Sequence, residues 1–293
     1  MKSLIVLISN PEAKGTTKKK IKQACLFLES RGYDVESLYT TQRGDAEIFA
    51  KESVKKSPAF IIAAGGDGTF NEVANGIAGS KVPMAILPFG TANVLSKELA
   101  IPEDVHGALE VAVTKSPRTV SLGSITGLHP SLPPRYFILM AGIGYDGETV
   151  FGMNKTLKKF SGKGAYIYSG MRRLIEFHPS ELTFHIDGTI YSGYSAIIGK
   201  ASKYGGNFTV TPDARLADPA FYVCLFTGPT GLDTLRYIFG ISANRHLAFR
   251  DVKYLRAETI EISGRAHVQI DGDYWGTTPA RIEISKNIIR LIY

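Results

Sequence analysis

An α/β domain with a parallel sheet, followed by a β-rich sandwich domain, is the fold this sequence predicts. Three observations carry the prediction. Up to about residue 120, short apolar runs alternate with stretches of helical periodicity, the pattern of a parallel sheet covered on both faces. Beyond it, two-residue alternation and Asp-Gly pairs take over, as in antiparallel hairpins. Between Ala63 and Val73 an apolar run ends in three glycines around one aspartate and gives way to a helical stripe. The expected division is residues 1–124 and 125–293, with the last stretch, about 286–293, returning to the first unit.

Each element has its own signal. Leu4 to Ile8 is an unbroken apolar run of strand length. Ile21, Ala24, Cys25 and Leu28 then recur at the spacing of one helix face. Val35 to Tyr39 reads as a strand, and Asp45 as the N-cap of a helix carrying Ala46, Phe49 and Ala50. Phe60 to Ala64 and Met84 to Leu87 are two further strands, each followed by a glycine loop. In the second half Leu182 to Ile186, Thr259 to Ile262 and His267 to Ile270 alternate, and turns fall at Asp187-Gly188 and Asp271-Gly272. One helix is expected there, over Ala165 to Phe177.

Composition narrows the function classes. With 293 residues, 44% of them hydrophobic, the chain can bury one large core or two ordinary ones. No apolar run approaches the ~18 residues that cross a bilayer, and Met-Lys-Ser ahead of the first strand is too short for a signal peptide. A cytoplasmic protein is expected, with Cys25 and Cys224 reduced. The six histidines form no His-Glu-x-x-His pair, and Gly162-Lys163 is followed by Gly164, so neither a zincin nor a Walker A loop is present. Gly142-Ile143-Gly144-Tyr145-Asp146-Gly147 spells a dinucleotide fingerprint but lacks the acidic residue some twenty positions on; it reads as tight turns in the second domain.

The net charge of +7 suits an anionic partner, but no nucleic-acid-binding module accompanies it, so nucleic acid is not expected. Lys155, Lys158, Lys159, Lys163, Arg172 and Arg173 all lie in the acid-free stretch between Glu148 and Glu176. Such a patch would hold the protein to anionic lipid at roughly 1 kcal/mol per basic residue, bringing the predicted helix with Tyr166, Ile167, Met171 and Leu174 near the membrane.

The chemistry points to Gly65-Gly66-Asp67-Gly68-Thr69-Phe70-Asn71-Glu72. Glycines let a backbone approach a phosphate and aim its N–H groups at it, and a helix N-terminus adds partial positive charge. Asp67 stands where a carboxylate could hold Mg²⁺ against phosphates. Thr69-x-x-Glu72 also spells a capping box, which is compatible with a phosphate site. The carboxyl end of a parallel strand is where open α/β sheets bind ligands.

Gly-Gly-Asp-Gly-Thr-x-x-Glu-Val resembles the nucleotide motif of the diacylglycerol kinase catalytic domain, found in bacterial lipid kinases and in sphingosine and ceramide kinases. The resemblance continues through Asn10-Pro11 with Lys14-Gly15, Thr40 ahead of Asp45, and Leu87-Pro88-Phe89-Gly90-Thr91-Ala92-Asn93. It goes on through Tyr204-Gly205-Gly206, Thr211-Pro212-Asp213-Ala214 and Asp218 to Gln269-Ile270-Asp271-Gly272-Asp273. It implies a first domain like those of phosphofructokinase and NAD kinase, and transfer of a phosphoryl group from ATP, with Mg²⁺, to a lipid hydroxyl in the cleft between domains. Asn10, Thr40, Gly66, Asp67, Gly68, Thr69, Phe70, Asn71, Glu72 and Thr91 would bind ATP. Asp273 would be the general base, Asp67 its catalytic partner at the phosphates, and Asp218 with the carbonyls of Arg215 and Ala220 a structural metal site. A protein peripheral to the inner membrane surface follows, and a homodimer is left open.

The sequence also departs from the family. Asp273 replaces glutamate, and Asp271 is a second candidate base whose ordinary role is that of a turn residue. Asn93-Val94 and Ser121-Leu122-Gly123 lack the two aspartates that bacterial diacylglycerol kinases place around a magnesium, and Asp218-Pro219-Ala220 replaces Asp-Gly-Leu. The alternatives are a kinase of the NAD kinase type acting on a soluble substrate, and a weakly active nucleotide- or lipid-binding regulator.

Overall fold

The computed structural model describes residues 2–127, 134–156 and 179–293. The first half alternates as expected: β1 (Leu4–Ser9), α1 (Lys18–Ser30), β2 (Asp34–Tyr39), α2 (Asp45–Val54), β3 (Phe60–Gly65), α3 (Asp67–Ile77) and β4 (Pro83–Pro88). β2, β1, β3 and β4 lie side by side in that order, all parallel. β1 and β3 are apolar at nearly every position because helices cover both faces, so both sides of these strands are core. Thr17 caps α1 by accepting from the Lys20 N–H at 3.2 Å, and the helix buries Ile21, Ala24 and Leu28.

Asp45 is not the N-cap the sequence suggested. Gly44, in the left-handed region at φ 93°, takes that position, and Asp45 is the first helical residue of α2. Its carboxylate reaches back instead to the loop ahead of it. Two short helices, α4 (Val94–Glu98) and α5 (Val105–Thr114), lead to β5 (Pro117–Gly127).

The second half runs β6 (Arg135–Phe137), β7 (Met140–Ile143), α6 (Tyr145–Thr156), β8 (Leu182–Ile186), β9 (Thr189–Gly193) and β10 (Ser195–Gly199), then β11 (Lys203–Tyr204), β12 (Phe208–Thr209) and β13 (Phe221–Phe226). It closes with α7 (Gly231–Ser242), β14 (Val252–Ala257), β15 (Thr259–Ser263), β16 (His267–Ile270), β17 (Asp273–Thr277) and β18 (Ala280–Ile292). β14-β13-β10-β7-β16-β17 form one antiparallel sheet. Its inner residues, among them Ala141, Val223 and Ile270, meet Ile125, Phe184, Ile260 and Ile282 from β5, β8, β15 and β18. This is the predicted sandwich, and the alternation seen in the sequence is its inside-outside pattern.

One ribbon joins the halves. Residues 280–284 of β18 pair with 123–127 of β5 inside the sandwich, and 288–292 pair with 117–121 after a bulge. Beyond the bulge, Arg290 and Leu291 also pair in parallel with Pro83 and Met84 of β4. The last strand therefore extends the parallel sheet.

The fingerprint-like glycines do not form tight turns only, for α6 begins at Tyr145. β7 lies antiparallel to both its neighbours, unlike a dinucleotide-binding strand. Close packing explains the glycines: a Cβ on Gly147 would stand 2.2 Å from the His267 carbonyl oxygen. Of the basic patch, Lys155 falls on α6; Lys158, Lys159, Lys163, Arg172 and Arg173, with the helix expected over 165–177, lie outside the described residues. Among the described residues no helix is long and apolar enough to cross a membrane.

Candidate active site

Four loops meet at the carboxyl ends of β1, β2, β3 and β4, and backbone hydrogen bonds stitch them together. The Asn10 N–H donates to Ala64 O at 2.9 Å, Thr40 N–H to Ser9 O at 2.9 Å, Phe89 N–H to Gly65 O at 2.7 Å and Gly15 N–H to Phe89 O at 2.8 Å. Gly66 and Gly90 let the third and fourth loops touch: a Cβ on Gly90 would come within 2.6 Å of Gly66 Cα. α3 starts straight after this contact, with Gly66 as an N-cap that offers no side-chain acceptor. No cap side chain competes there with a ligand entering the cleft for the first-turn N–H groups.

The capping box spelled by Thr69 and Glu72 is not made. Thr69 is the third residue of the helix and accepts a long bond, 3.5 Å, from Asn10 Nδ2. Glu72 turns away and takes the N–H groups of Gly44 at 2.9 Å and Ala46 at 3.2 Å, so α3 caps α2. Asp45 holds the same loop from the other side, accepting from Thr41 N and Oγ1, both at 2.8 Å, and from Gln42 N at 3.0 Å. These bonds hold its carboxyl below the usual range. Thr40 to Arg43 is thereby fixed against the mouth of the cleft.

Asp67 is engaged in the same way. Its two carboxylate oxygens accept the Val94 and Leu95 N–H groups, each at 3.0 Å, and so cap the N-terminus of α4. Burial pushes this carboxyl up, against the pull of those two amides and of Lys97. Phe70 is wholly buried in the core. Asn71 faces the sandwich, where its Nδ2 donates to Asp271 Oδ2 at 2.8 Å and to Tyr136 O at 3.0 Å.

Asp271 is the joint between the halves. It sits with Gly272 in the β16–β17 turn, both at positive φ, 49° and 88°, as an Asp-Gly hairpin requires. Besides Asn71, its carboxylate accepts the N–H groups of Ile138 and Leu139 at 2.8 Å and of Met140 at 3.0 Å. Burial raises this carboxyl to about 6 even so, the four donors opposing the shift. Two residues on, Asp273 projects into the cleft. Its Oδ2 lies 3.3 Å from an Arg43 guanidinium nitrogen and would be 3.5 Å from a Cβ placed on Gly68.

Asn10, Glu12, Thr40, Thr41, Gln42, Arg43, Gly68, Thr69, Glu72 and Asp273 therefore line one cavity. A second opens on the other side of Asp273, walled by Ile270, Tyr274, Trp275, Arg135 and Glu47. Thr91 stands exposed on the loop after β4.

Several residues of the site carried no signal in the sequence. Arg43 is one, an ordinary loop arginine until β17 brings Asp273 to it. Arg135, paired with Glu47, is another. Tyr204 and Gln269 did stand in the motifs of the resemblance, but not their connection: a chain runs from Tyr204 through Asp146 to Gln269 Nε2, 2.6 Å away, and from Gln269 Oε1 to Gly272 N at 2.7 Å. Burial pushes both the Asp146 carboxyl and the Tyr204 hydroxyl up. This chain braces the hairpin that carries Asp273.

The expected metal site is occupied by the protein itself. Lys200, fully buried after β10, donates from Nζ to the carbonyl oxygens of Asp218, Arg215 and Ala220, the last two at 3.4 Å. Burial lowers the lysine to about 8, and Asp218 opposes the shift. Among the described residues no cluster of His, Cys, Asp and Glu could hold a metal ion.

A glycine-lined cleft at parallel strand ends, faced by an acid from a β sandwich, defines a two-domain phosphotransferase. Residues 4–125 match the diacylglycerol kinase catalytic domain, and residues 140–293 match the YegS C-terminal NAD kinase β sandwich-like domain. Diacylglycerol kinases of Staphylococcus aureus strains RF122 / ET3-1 and NCTC 8325 / PS 47 are each 30% identical to this chain over 282 residues, 94% of it and 87% of theirs. The chain belongs to the diacylglycerol kinase catalytic-domain family and is a lipid kinase. Two crystal structures from Bacillus anthracis str. Sterne share its fold, with TM-scores of 0.79 and 0.73 at 24% and 22% identity, covering 99% of this chain and 97% of each of theirs.

Proposed function

We propose that the chain moves the γ-phosphoryl group of ATP onto the hydroxyl of a diacylglycerol-like lipid, with Asp273 as general base. One observation carries the reading: Asp273, from the sandwich, lines the same cavity as Gly68, Thr69, Asn10 and Thr40. Phosphoryl transfer needs charge neutralised around the transferred group and the attacking hydroxyl held in line. The loops of Asn10, Thr40, Gly66 to Thr69 and Thr91 suit the first task, with α3 pointing its N-terminus at the phosphates. Asp273 suits the second, since a base from a separate domain can take the proton on the side opposite the nucleotide.

The residues fit a nucleotide better than they fit a metal held by protein alone. Both Asp67 oxygens already accept amides, so Asp67 positions the loop after β4. Mg²⁺ would arrive with ATP and take most of its ligands from phosphate and water, with Asp273 and Glu12 as carboxylates of this cavity able to face it, since both Glu72 oxygens already accept amides. When bound, it would neutralise phosphate charge. Arg43, beside Asp273, adds a fixed positive charge at the mouth. The cavity walled by Ile270, Tyr274, Trp275 and Arg135 suits a lipid head with its acyl chains leading outward, which requires the protein to rest on a membrane surface. The basic stretch from Lys155 to Arg173 would supply that contact.

The test incubates purified protein with labelled ATP, Mg²⁺ and a panel of lipids plus NAD. Transfer to a glycerolipid or sphingoid base is expected, and Asp273→Asn should lower it by roughly 10²–10⁴-fold while leaving ATP binding intact. Transfer to NAD alone, or full activity in Asp273→Asn, would overturn the assignment.

A further inference from the structure

We propose that Lys200 replaces the structural divalent cation of this fold, so that the sandwich is held by a covalently attached ammonium and is independent of metal. The family resemblance places a cation among the carbonyls of Arg215 and Ala220 and residue Asp218. In this chain those three residues turn their main-chain oxygens onto one atom, Lys200 Nζ. An ammonium has three N–H donors and no acceptor, and three carbonyls offer only acceptors. The two sets are complementary, and the side chain that joins them is wholly buried, where an unpaired lysine would be expelled.

A second substitution agrees with the first. Ser121, where the family has an aspartate, donates its hydroxyl to Asp218 O at 2.7 Å and to Leu216 O at 3.3 Å. An aspartate there would aim a carboxylate at two carbonyl oxygens, an arrangement that needs a cation between them. A hydroxyl needs none. Residues 121 and 200 thus exchange a metal-binding acceptor for two donors, and both donors reach the Asp218 carbonyl. No divalent ion can share the cage, because ligand distances of about 2.0–2.6 Å would put it against Nζ.

The lysine also ties three parts of the chain together. It follows β10, its own N–H donates to Leu139 O at 2.8 Å, and its ammonium fixes the loop that leads into β13. That loop returns to β5 through Ser121. A metal would do the same work but could be lost to a chelator. Lys200 cannot.

Thermal unfolding of the nucleotide-free chain tests this, with EDTA or with millimolar Mg²⁺. The wild-type melting temperature should be the same in both. Lys200→Met, which keeps the length and removes the donors, should melt about 5–10 °C lower, from the loss of charged hydrogen bonds. A wild-type melting temperature that falls in EDTA and returns with Mg²⁺ would overturn the proposal. So would a Lys200→Met chain as stable as wild type. The first comparison needs no variant, so it decides even if Lys200→Met fails to fold.

Discussion

Replacing Asp271 by asparagine tests whether a buried carboxylate fastens the two halves together. The change keeps the shape but leaves one oxygen to serve four N–H donors that now meet on both sides of the side chain. Whichever way the amide turns, its NH₂ faces two of them, a cost of about 1–3 kcal/mol for each donor left unmatched. Against this stands the relief of a buried charge. The carboxyl is raised from 3.8 to about 6, which at about 1.4 kcal/mol per pH unit makes the ionised form ~3 kcal/mol worse in the fold than in the unfolded chain. The sign follows directly. Between pH 3.8 and about 6 the folded state holds the proton more tightly, so this group's stabilisation is full below that window and fades as pH rises through it. The asparagine variant lacks that term. Urea unfolding at 25 °C should therefore find the variant only modestly weaker than wild type at pH 7.5, by about 0–3 kcal/mol. Its deficit should grow by about 2 kcal/mol on going to pH 4.5. A deficit that stays constant or shrinks in acid would refute the argument.

Three further predictions use the same geometry. Gly68→Ala puts a methyl group 3.5 Å from Asp273 Oδ2 in the first turn of a helix; stability should hold or rise by up to about 1 kcal/mol, while kinase activity falls at least roughly tenfold as the 1 Å tolerance of a transfer site is used up. A loss of both together would instead mean misfolding. Arg43→Ala removes an exposed ion pair, so the unfolding free energy should change by less than about 1 kcal/mol, yet KM for ATP should rise as the mouth of the cavity loses its positive charge; an unchanged KM would separate Arg43 from nucleotide binding. Asp67→Asn leaves one of the Val94 and Leu95 amides without its acceptor; chemical denaturation should register a loss of about 1–3 kcal/mol, and no loss would deny Asp67 its capping role.

Legibility in the sequence followed the range of the interaction. The inner parallel strands could be read because β1, β3 and β4 are buried on both faces and are therefore apolar at nearly every position, as in Phe60 to Gly65. The hairpin at Asp271-Gly272 could be read because two residues at positive φ demand that chemistry. The placement of Asp273 beside Gly68 followed only from resemblance, since no local rule brings positions so far apart in the chain together. Asp45 and Glu72 were misread for a related reason. Each has the residue type and spacing of a local cap, and each serves a loop or a neighbouring helix instead. Lys200 left no trace at all: a lysine at the end of an apolar strand looks exposed until three carbonyls converge on it.

The ribbon of β5 and β18 sets a rule for anyone cutting this protein. A fragment ending near residue 125 would carry the whole nucleotide half by sequence count, yet it would lack the segment at 288–292 that covers the open side of β4. Its main-chain groups would then face solvent as a template for aggregation. The two halves can be told apart by eye, but a cut between them divides the final strand from one of its partners, because that strand belongs to both.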